Sequence, residues 1–424
     1  MFVELGISVG LVSLYNYFNS ADKRKFKNSF NEVMLKTGIK NKDDETFKIY
    51  KIIPTSYGYI CYLRNTKGLS IEHLDSKINI LEGNLNSIVQ LEKDRFKDYI
   101  KMYVVNKDID KFKFEPVKCL NHLLWIGKDF KGQNYFIDVN KDPHLLLGGA
   151  TGTGKSFLLA SILANLIYSS SKYIDLYLLQ ICKSEISAFE CCDCVKYSAY
   201  SEEMCKVALL KLLKELDRRS EQFKKFGIRN ITQWNNHRKD KYMKRIYVVI
   251  EELSFFMETE LFEYVMKIAK AGRSVGIHLI SCIQRSTATN LPPDLKSQMT
   301  RITFRQKSSI DSVNIINTAD ATKLKERECI VDGNSDYQLI KTPWLDEDFI
   351  LLHKYVEQIK VPTQDEKQEI LNVKKINNKI YSIEQPQIVD IEESEIKEEK
   401  PKNNKTRKGV VSMEDFKNGF NRKR

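Results

Sequence analysis

The spacing of hydrophobic positions changes along this chain, and each spacing predicts an element. Met1 to Phe18 is largely apolar, with Glu4 as its only charge. That predicts a short N-terminal hydrophobic helix, assigned to residues 1–20. A helix of that length spans about 27 Å, enough for a single membrane anchor. Residues 21–45 are polar and charged and read as a linker. Thr46 to Arg64 alternates apolar and polar positions, with turn residues between Pro54 and Gly58, so two paired strands are expected. Ser70 to Leu91 places Ile71, Leu74, Ile78, Leu81, Leu85 and Ile88 near helical spacing, with Ser70 as the N-cap. Lys101 to Val105 reads as a further strand. Residues 46–115 therefore read as a small α/β domain; its sequence points to no chemistry, and packing and DNA guidance are both open for it.

From Pro116 the pattern alternates between strand-like and helix-like runs, which predicts an α/β motor domain over 116–358 with a parallel central sheet. Pro143 to Gly148 reads as a buried strand and Phe157 to Tyr168 as a mostly apolar helix. Tyr173 to Ile181 reads as the next strand. Met204 to Phe226 reads as a long helix with Val207, Leu210, Leu213 and Leu216 on one face, stopped by Gly227. Ile246 to Ile250 and His278 to Ile283 are continuous apolar runs, the mark of central strands. Residues 359–424 turn acidic from Pro386 to Glu399 and basic from Pro401 to Lys408, with few apolar positions. Such a composition predicts a charged, disordered tail.

Composition narrows the partners. Of 424 residues, 68 are Lys or Arg and 56 are Asp or Glu, a formal net charge of +12. That excess suits a polyanion or an anionic membrane face. Lys23, Arg24, Lys25 and Lys27 follow the hydrophobic segment, so the positive-inside rule puts the bulk of the protein in the cytoplasm. The nine cysteines are an odd count and sit among core-like segments, which argues for reduced thiols and against a secreted disulfide frame. Cys191, Cys192, Cys194 and Cys205 lack the paired spacing of a structural zinc site. His144 and His278 fall in strand contexts and read as core residues. Trp125, Trp234 and Trp344 are scattered, so no stacking platform for single-stranded nucleic acid is visible from them.

The candidate chemistry starts at Gly149-Ala150-Thr151-Gly152-Thr153-Gly154-Lys155-Ser156, between a predicted strand and a predicted helix. This is the pattern of a phosphate-binding loop. Glycines let backbone N–H groups crowd round phosphates, and the helix N-terminus adds partial positive charge. Lys155 is placed to reach the β- and γ-phosphates of ATP, and Ser156 to ligate Mg²⁺. Glu251 and Glu252 end a buried strand, where open α/β sheets collect their ligands. Glu252 is the candidate for orienting the attacking water, and Glu251 for the Mg²⁺ environment. Gln284 ends the next strand and is placed to sense the γ-phosphate. Arg273, Arg285, Arg301 and Arg305 are candidates for a charge-neutralising arginine.

Taken together, these stretches resemble the FtsK/SpoIIIE family of DNA translocases. The resemblance runs from about Pro143 to Asn317, and more loosely back to residue 46. It rests on the loop, on Glu185-Ile186-Ser187-Ala188-Phe189, on Arg218-Arg219 with Arg229-Asn230-Ile231, and on Val248-Val249-Ile250-Glu251-Glu252. It continues through Gly272-Arg273-Ser274-Val275-Gly276-Ile277-His278-Leu279, Gln284-Arg285 and Thr300-Arg301-Ile302-Thr303-Phe304-Arg305. The resemblance implies a RecA-like motor preceded by a small α/β domain. It also implies a ring hexamer pumping DNA and an ATP site completed by the neighbour's arginine. Arg301 matches that finger best by position, with Arg305 close behind.

Departures narrow the expectation. Glu251 stands where the family usually has Asp, and Ile181-Cys182-Lys183 replaces Asp-Pro-Lys. No glycine-rich turn follows Asn317, and no winged-helix module follows the motor. The resulting expectation is a membrane-associated DNA translocase that acts as a coupling protein for conjugative transfer of a plasmid or integrative element. Its expected partners are DNA held through phosphates, copies of itself, a relaxase and transfer-channel proteins. The alternatives are a chromosome-partitioning DNA pump, a protein-export ATPase, and a nucleotide-gated scaffold with weak hydrolysis.

Overall fold

The computed structural model describes residues 21–362 except 110, 183, 285–290 and 334–336. The hydrophobic segment at Met1 to Phe18, Lys183, Arg285 and the tail beyond Pro362 lie outside the described residues, while Ile359, assigned to that tail, is buried in the motor core. Among the described residues, no helix is long and apolar enough to cross a membrane.

Residues 21–37 are helical, here α1, where an open linker was expected. The cause is an apolar stripe inside the charged segment. Phe30, Val33 and Met34 are buried from one side of it. They pack with strands β1 (Ile49–Pro54) and β2 (Gly58–Arg64) and with helices α2 (Ile71–Asp75) and α3 (Ile78–Leu85). Strands β3 (Ile88–Glu92) and β4 (Tyr99–Val105) complete an antiparallel sheet of order β1-β2-β4-β3. The single helix expected over Ser70 to Leu91 is therefore a correction. Ser70 does cap it, through a reciprocal box with His73. The chain breaks at Ser76–Lys77, and Asn86 ends α3 in the left-handed region at φ 46°. Ile88 then enters a strand, because Val89 and Leu91 find an apolar sheet face next to Met102 and Val104.

A second sheet has the order β6-β5-β14-β13-β12-β7-β11-β10-β8-β9. Its members in chain order are β5 (Leu123–Asp129), β6 (Asn134–Asp138), β7 (Leu145–Gly148), β8 (Ile174–Leu179) and β9 (Val195–Ala199). β10 (Arg245–Ile250), β11 (Ile277–Ile283), β12 (Thr300–Thr303), β13 (Glu328–Asp332) and β14 (Tyr337–Lys341) follow. The run β12-β7-β11-β10-β8-β9 is parallel, as expected. β6, β5, β14 and β13 join it antiparallel, so the sheet is mixed. Short hairpin connections at Gly132 and between β13 and β14 permit this, since antiparallel neighbours need no crossover helix.

Alternation along the buried strands splits their side chains between two cores. Leu145 and Leu147 face α4 (Lys155–Ser170), and Leu146 faces the side of α5 (Glu202–Phe226) and α7 (Leu261–Val275). The buried stripe of α5 is Cys205, Ala208, Leu209, Leu212 and Leu216, whereas Val207 and Leu210 are exposed. The face expected from the sequence is corrected here. A run spaced by three residues drifts about 60° per step around a helix of 3.6 residues per turn, so it leaves any one face. Spacings that mix three and four hold the stripe against the sheet. Gly227, at φ 65°, ends α5 as expected.

Candidate active site

Because β7, β8, β10 and β11 are parallel neighbours, their carboxyl ends open on one edge. Gly148 pairs with Ile283, and Ile250 pairs with both Ser281 and Leu179. The residues that follow these strands therefore meet: the loop after Gly148, Gln180, Glu251 and Gln284.

The loop from Gly149 to Gly154 turns tightly into α4. Gly149, Gly152 and Gly154 have φ of 150°, 75° and 115°, values that other residues rarely adopt. Gly149 is also hemmed in: a Cβ there would meet Phe304 Cβ at 2.8 Å. Residues beyond β12 brace the loop from below, since Phe304 N donates to Gly148 O at 2.8 Å and Ala150 N to Arg305 O at 3.2 Å. The Thr153 hydroxyl donates to Ala150 O at 2.7 Å. Lys155 is buried, and its Nζ donates to Gly149 O at 2.5 Å and to Ala150 O at 3.1 Å. These neutral carbonyls are weaker acceptors than phosphate oxygens, so an incoming polyphosphate can replace them.

Glu251 and Glu252 are both buried, at 2% and 5% relative exposure, which sets them apart from ordinary surface acids. They point to different partners. Glu251 Oε1 accepts from the Glu185 backbone N–H at 2.9 Å. Glu252 Oε1 accepts from the Ser254 hydroxyl at 2.7 Å and from Gln284 N at 3.3 Å. The cleft beside the loop is lined by Lys155, Ser156, Glu185, Glu251, Cys282 and Gln284, among others.

The sequence pattern assigns Glu185 no role of its own, but its carboxylate and backbone N–H both face the site. Its carboxylate accepts from the Ser156 hydroxyl. It thus ties the first turn of α4 to the end of β10. The available signal was its place just beyond β8, at the same sheet edge as the acid pair beyond β10. Ser156, Glu185 and Glu251 present hard oxygen donors at one corner of the cleft, the chemistry that suits Mg²⁺. When bound, that ion neutralises phosphate charge. Ser156 and Glu251 are the residues that would hold it.

The arginines separate. Arg301 lies within β12, level with Leu146 rather than with Gly148, and its guanidinium donates to Asp332 Oδ2 at 2.7 Å. Arg305 is exposed beside the loop that its carbonyl braces. Arg273 donates to Asn140 O at 2.9 Å on the opposite, amino-terminal edge of the sheet. Arg219 is buried, bonded to Glu215 and to Val275 O, and has a structural role.

The other candidates belong to the core. His144 Nδ1 accepts from Leu279 N, and His278 lies between Arg245 and Pro143 O. Cys192, Cys194 and Cys205 are buried, and burial pushes their thiols up to about 12, about 11 and about 12.

A phosphate loop braced by β12, with a buried acid pair on the second strand over, is the site of a P-loop ATPase. The FtsK/SpoIIIE family model matches residues 121–288. This segment belongs to the FtsK/SpoIIIE family. Over 232 residues the chain is 29% identical to a protein named DNA translocase FtsK from Caldanaerobacter subterraneus, covering 53% of this chain and 32% of the relative. Over 209 residues it is 31% identical to DNA translocase SftA of Bacillus subtilis, covering 47% of this chain and 22% of the relative. The chain thus spans about a third or less of the length of these relatives. Among solved structures, the pCW3 conjugation coupling protein TcpA with ATPγS shares the fold. Its TM-score is 0.56 at 21% identity, over 79% of this chain and all of TcpA (100%). The cytoplasmic domain of the type VII secretion ATPase EccC of Thermomonospora curvata also shares it, at a TM-score of 0.51 and 21% identity, over 58% of this chain and 32% of EccC.

Proposed function

We propose that this FtsK/SpoIIIE-type ATPase is a DNA translocase, and that it acts as a membrane-associated coupling protein in conjugative transfer. The observation that carries the motor reading is that Lys155 and Ser156 share one cleft with the buried Glu251 and with Gln284, whose backbone N–H donates to the buried Glu252 behind it. Lys155 and the loop N–H groups grip the phosphates. Ser156 and Glu251 hold Mg²⁺. Glu252 and Gln284 share a hydrogen bond at the γ-phosphate end, with Glu252 orienting the water and Gln284 reporting the phosphate. The cleft encloses only about 100 Å³, below the roughly 300–1,000 Å³ usual for a ligand site. That supports a nucleotide shared with a neighbouring copy in a hexameric ring, with Arg301 or Arg305 reaching across.

The conjugative role draws on the fold shared with TcpA over nearly the whole described chain, and on the basic excess suited to DNA phosphates. ATP turnover measured with and without DNA tests the motor. DNA should raise turnover, Lys155→Ala should abolish nucleotide binding, and Glu252→Gln should bind ATP yet lose about 10²-fold or more in rate. Tight ATP binding without turnover under any condition would favour the scaffold instead. Co-purification with a relaxase tests the transfer role.

A further inference from the structure

The small sheet β1-β2-β4-β3 has two unlike faces. One carries Ile49, Cys61, Leu63, Ile100, Met102 and Val104, all buried against α1, α2 and α3. The other carries tyrosines and cations in cross-strand rows. Lys51 pairs with Tyr62, which pairs with Lys101, and Arg64 pairs with Tyr99. An irregularity between Ile49 and Lys51 turns Tyr50 onto the same face. The Tyr50 ring lies 6.1 Å from Tyr62 and 6.5 Å from Tyr99, and Tyr62 lies 5.1 Å from Tyr99. Lys51 Nζ sits 5.4 Å from the Tyr62 ring centre, and Arg64 Cζ 5.9 Å from that of Tyr50. Glu92 and Asp94 lie 3.7 Å and 3.8 Å from Lys101 at the β3–β4 edge, and the Asp98 charge reaches Tyr50.

A merely solvated sheet face does not need three clustered tyrosines, one of them 47% exposed. The three rings are tilted 57–71° to one another with cations over two of them, an arrangement that offers ring faces and edges to unpaired bases and cations to the phosphates that join them. Duplex DNA hides its base faces and offers such a surface phosphates alone. We propose that this face binds single-stranded DNA, with bases stacked on Tyr50, Tyr62 and Tyr99 and phosphates on Lys51, Arg64 and Lys101. Stacking on a base is worth more than an exposed cation–π contact. Bases therefore displace Lys51 and Arg64 from the rings, and both cations swing to the backbone. The scattered tryptophans offer no such platform, and in this proposal the tyrosines take that role. The site is separate from the ATP cleft and works without nucleotide.

Fluorescence anisotropy of a labelled oligothymidylate on the full chain, without nucleotide and at low salt, tests this. Tyr50→Ala and Tyr62→Ala should each weaken binding about tenfold. Tyr62→Phe keeps the ring and should bind like the parent. Arg64→Gln should weaken binding and flatten its salt dependence. Equal affinity of the parent for a duplex of the same length would overturn the proposal, and so would unchanged oligothymidylate binding by the Tyr50→Ala chain. Should Tyr62→Ala fail to fold, the exposed Tyr50→Ala and the conservative Tyr62→Phe decide. The Lys155→Ala chain should still bind the oligothymidylate while lacking ATP turnover, so failure of the motor reading and failure of this one are distinguishable.

Discussion

The Glu185 backbone N–H donates to Oε1 of Glu251 at 2.9 Å, while the Glu185 carboxylate accepts from Ser156. One residue thus couples both oxygen donors proposed to hold Mg²⁺. Its carboxylate is the removable half of that coupling. Glu185→Ala should lower ATP turnover about tenfold or more, the usual scale for losing a ligand's positioning partner. Affinity for metal-free ATP should be unchanged and affinity for MgATP reduced. Titration with a fluorescent ATP analogue, in EDTA and in Mg²⁺, makes the comparison. Equal loss in both conditions would assign Glu185 to the phosphate grip instead.

Arg301 is held by Asp332 within its own chain, at 16% side-chain exposure, while Arg305 stands exposed beside the loop. If either serves a neighbouring copy, two dead chains can repair each other. Mixing Lys155→Ala chains with Arg301→Ala chains should restore part of the turnover that each lacks, because an intact loop can meet an intact arginine. The same mixture with Arg305→Ala decides between the two positions. Turnover of Arg301→Ala and Arg305→Ala equal to the parent would remove both from the mechanism.

Stability should fall on mild acidification. Burial holds His144 down to about 4, and burial with the Arg245 charge holds His278 well below its usual range. Once unfolded, both return to about 6.5. Below that value the unfolded chain binds protons that the folded chain refuses, so stability drops as pH falls from about 6.5 towards 4. Between pH 7.5 and about 5.5 His144 alone should cost about 1.3 kcal/mol, and His278 adds to the loss in the same direction. Urea midpoints at the two pH values measure it, and identical midpoints would contradict the buried, neutral state of these rings.

Gly272 lies where α7 passes closest to β11. A Cβ there would collide with the backbone oxygen of Ile277, which no side-chain rotation relieves. Gly272→Ala should therefore destabilise the motor by about 1–3 kcal/mol, although alanine is the better helix former. Thermal melting of the variant against the parent checks the sign.

The chain order alone determined the phosphate loop, the strand before it, the helix after it and the acid pair at the end of a later buried strand, β10. These are local signals: glycines at fixed spacing, an apolar run of strand length, and carboxylates where that run stops. Tertiary structure decided the rest. α5 buries Ala208 and Leu209 rather than Val207 and Leu210 because the sheet beneath selects the stripe. Glu185 becomes part of the site only because β8 and β10 lie side by side in parallel. Tyr50, Tyr62 and Tyr99 come from separate strands, and no single segment shows them as a group. Their shared face is set by strand register and by the irregularity after Ile49. A slip of one residue would send Tyr62 into the core and Leu63 into solvent, because side chains alternate across a sheet with a period of two.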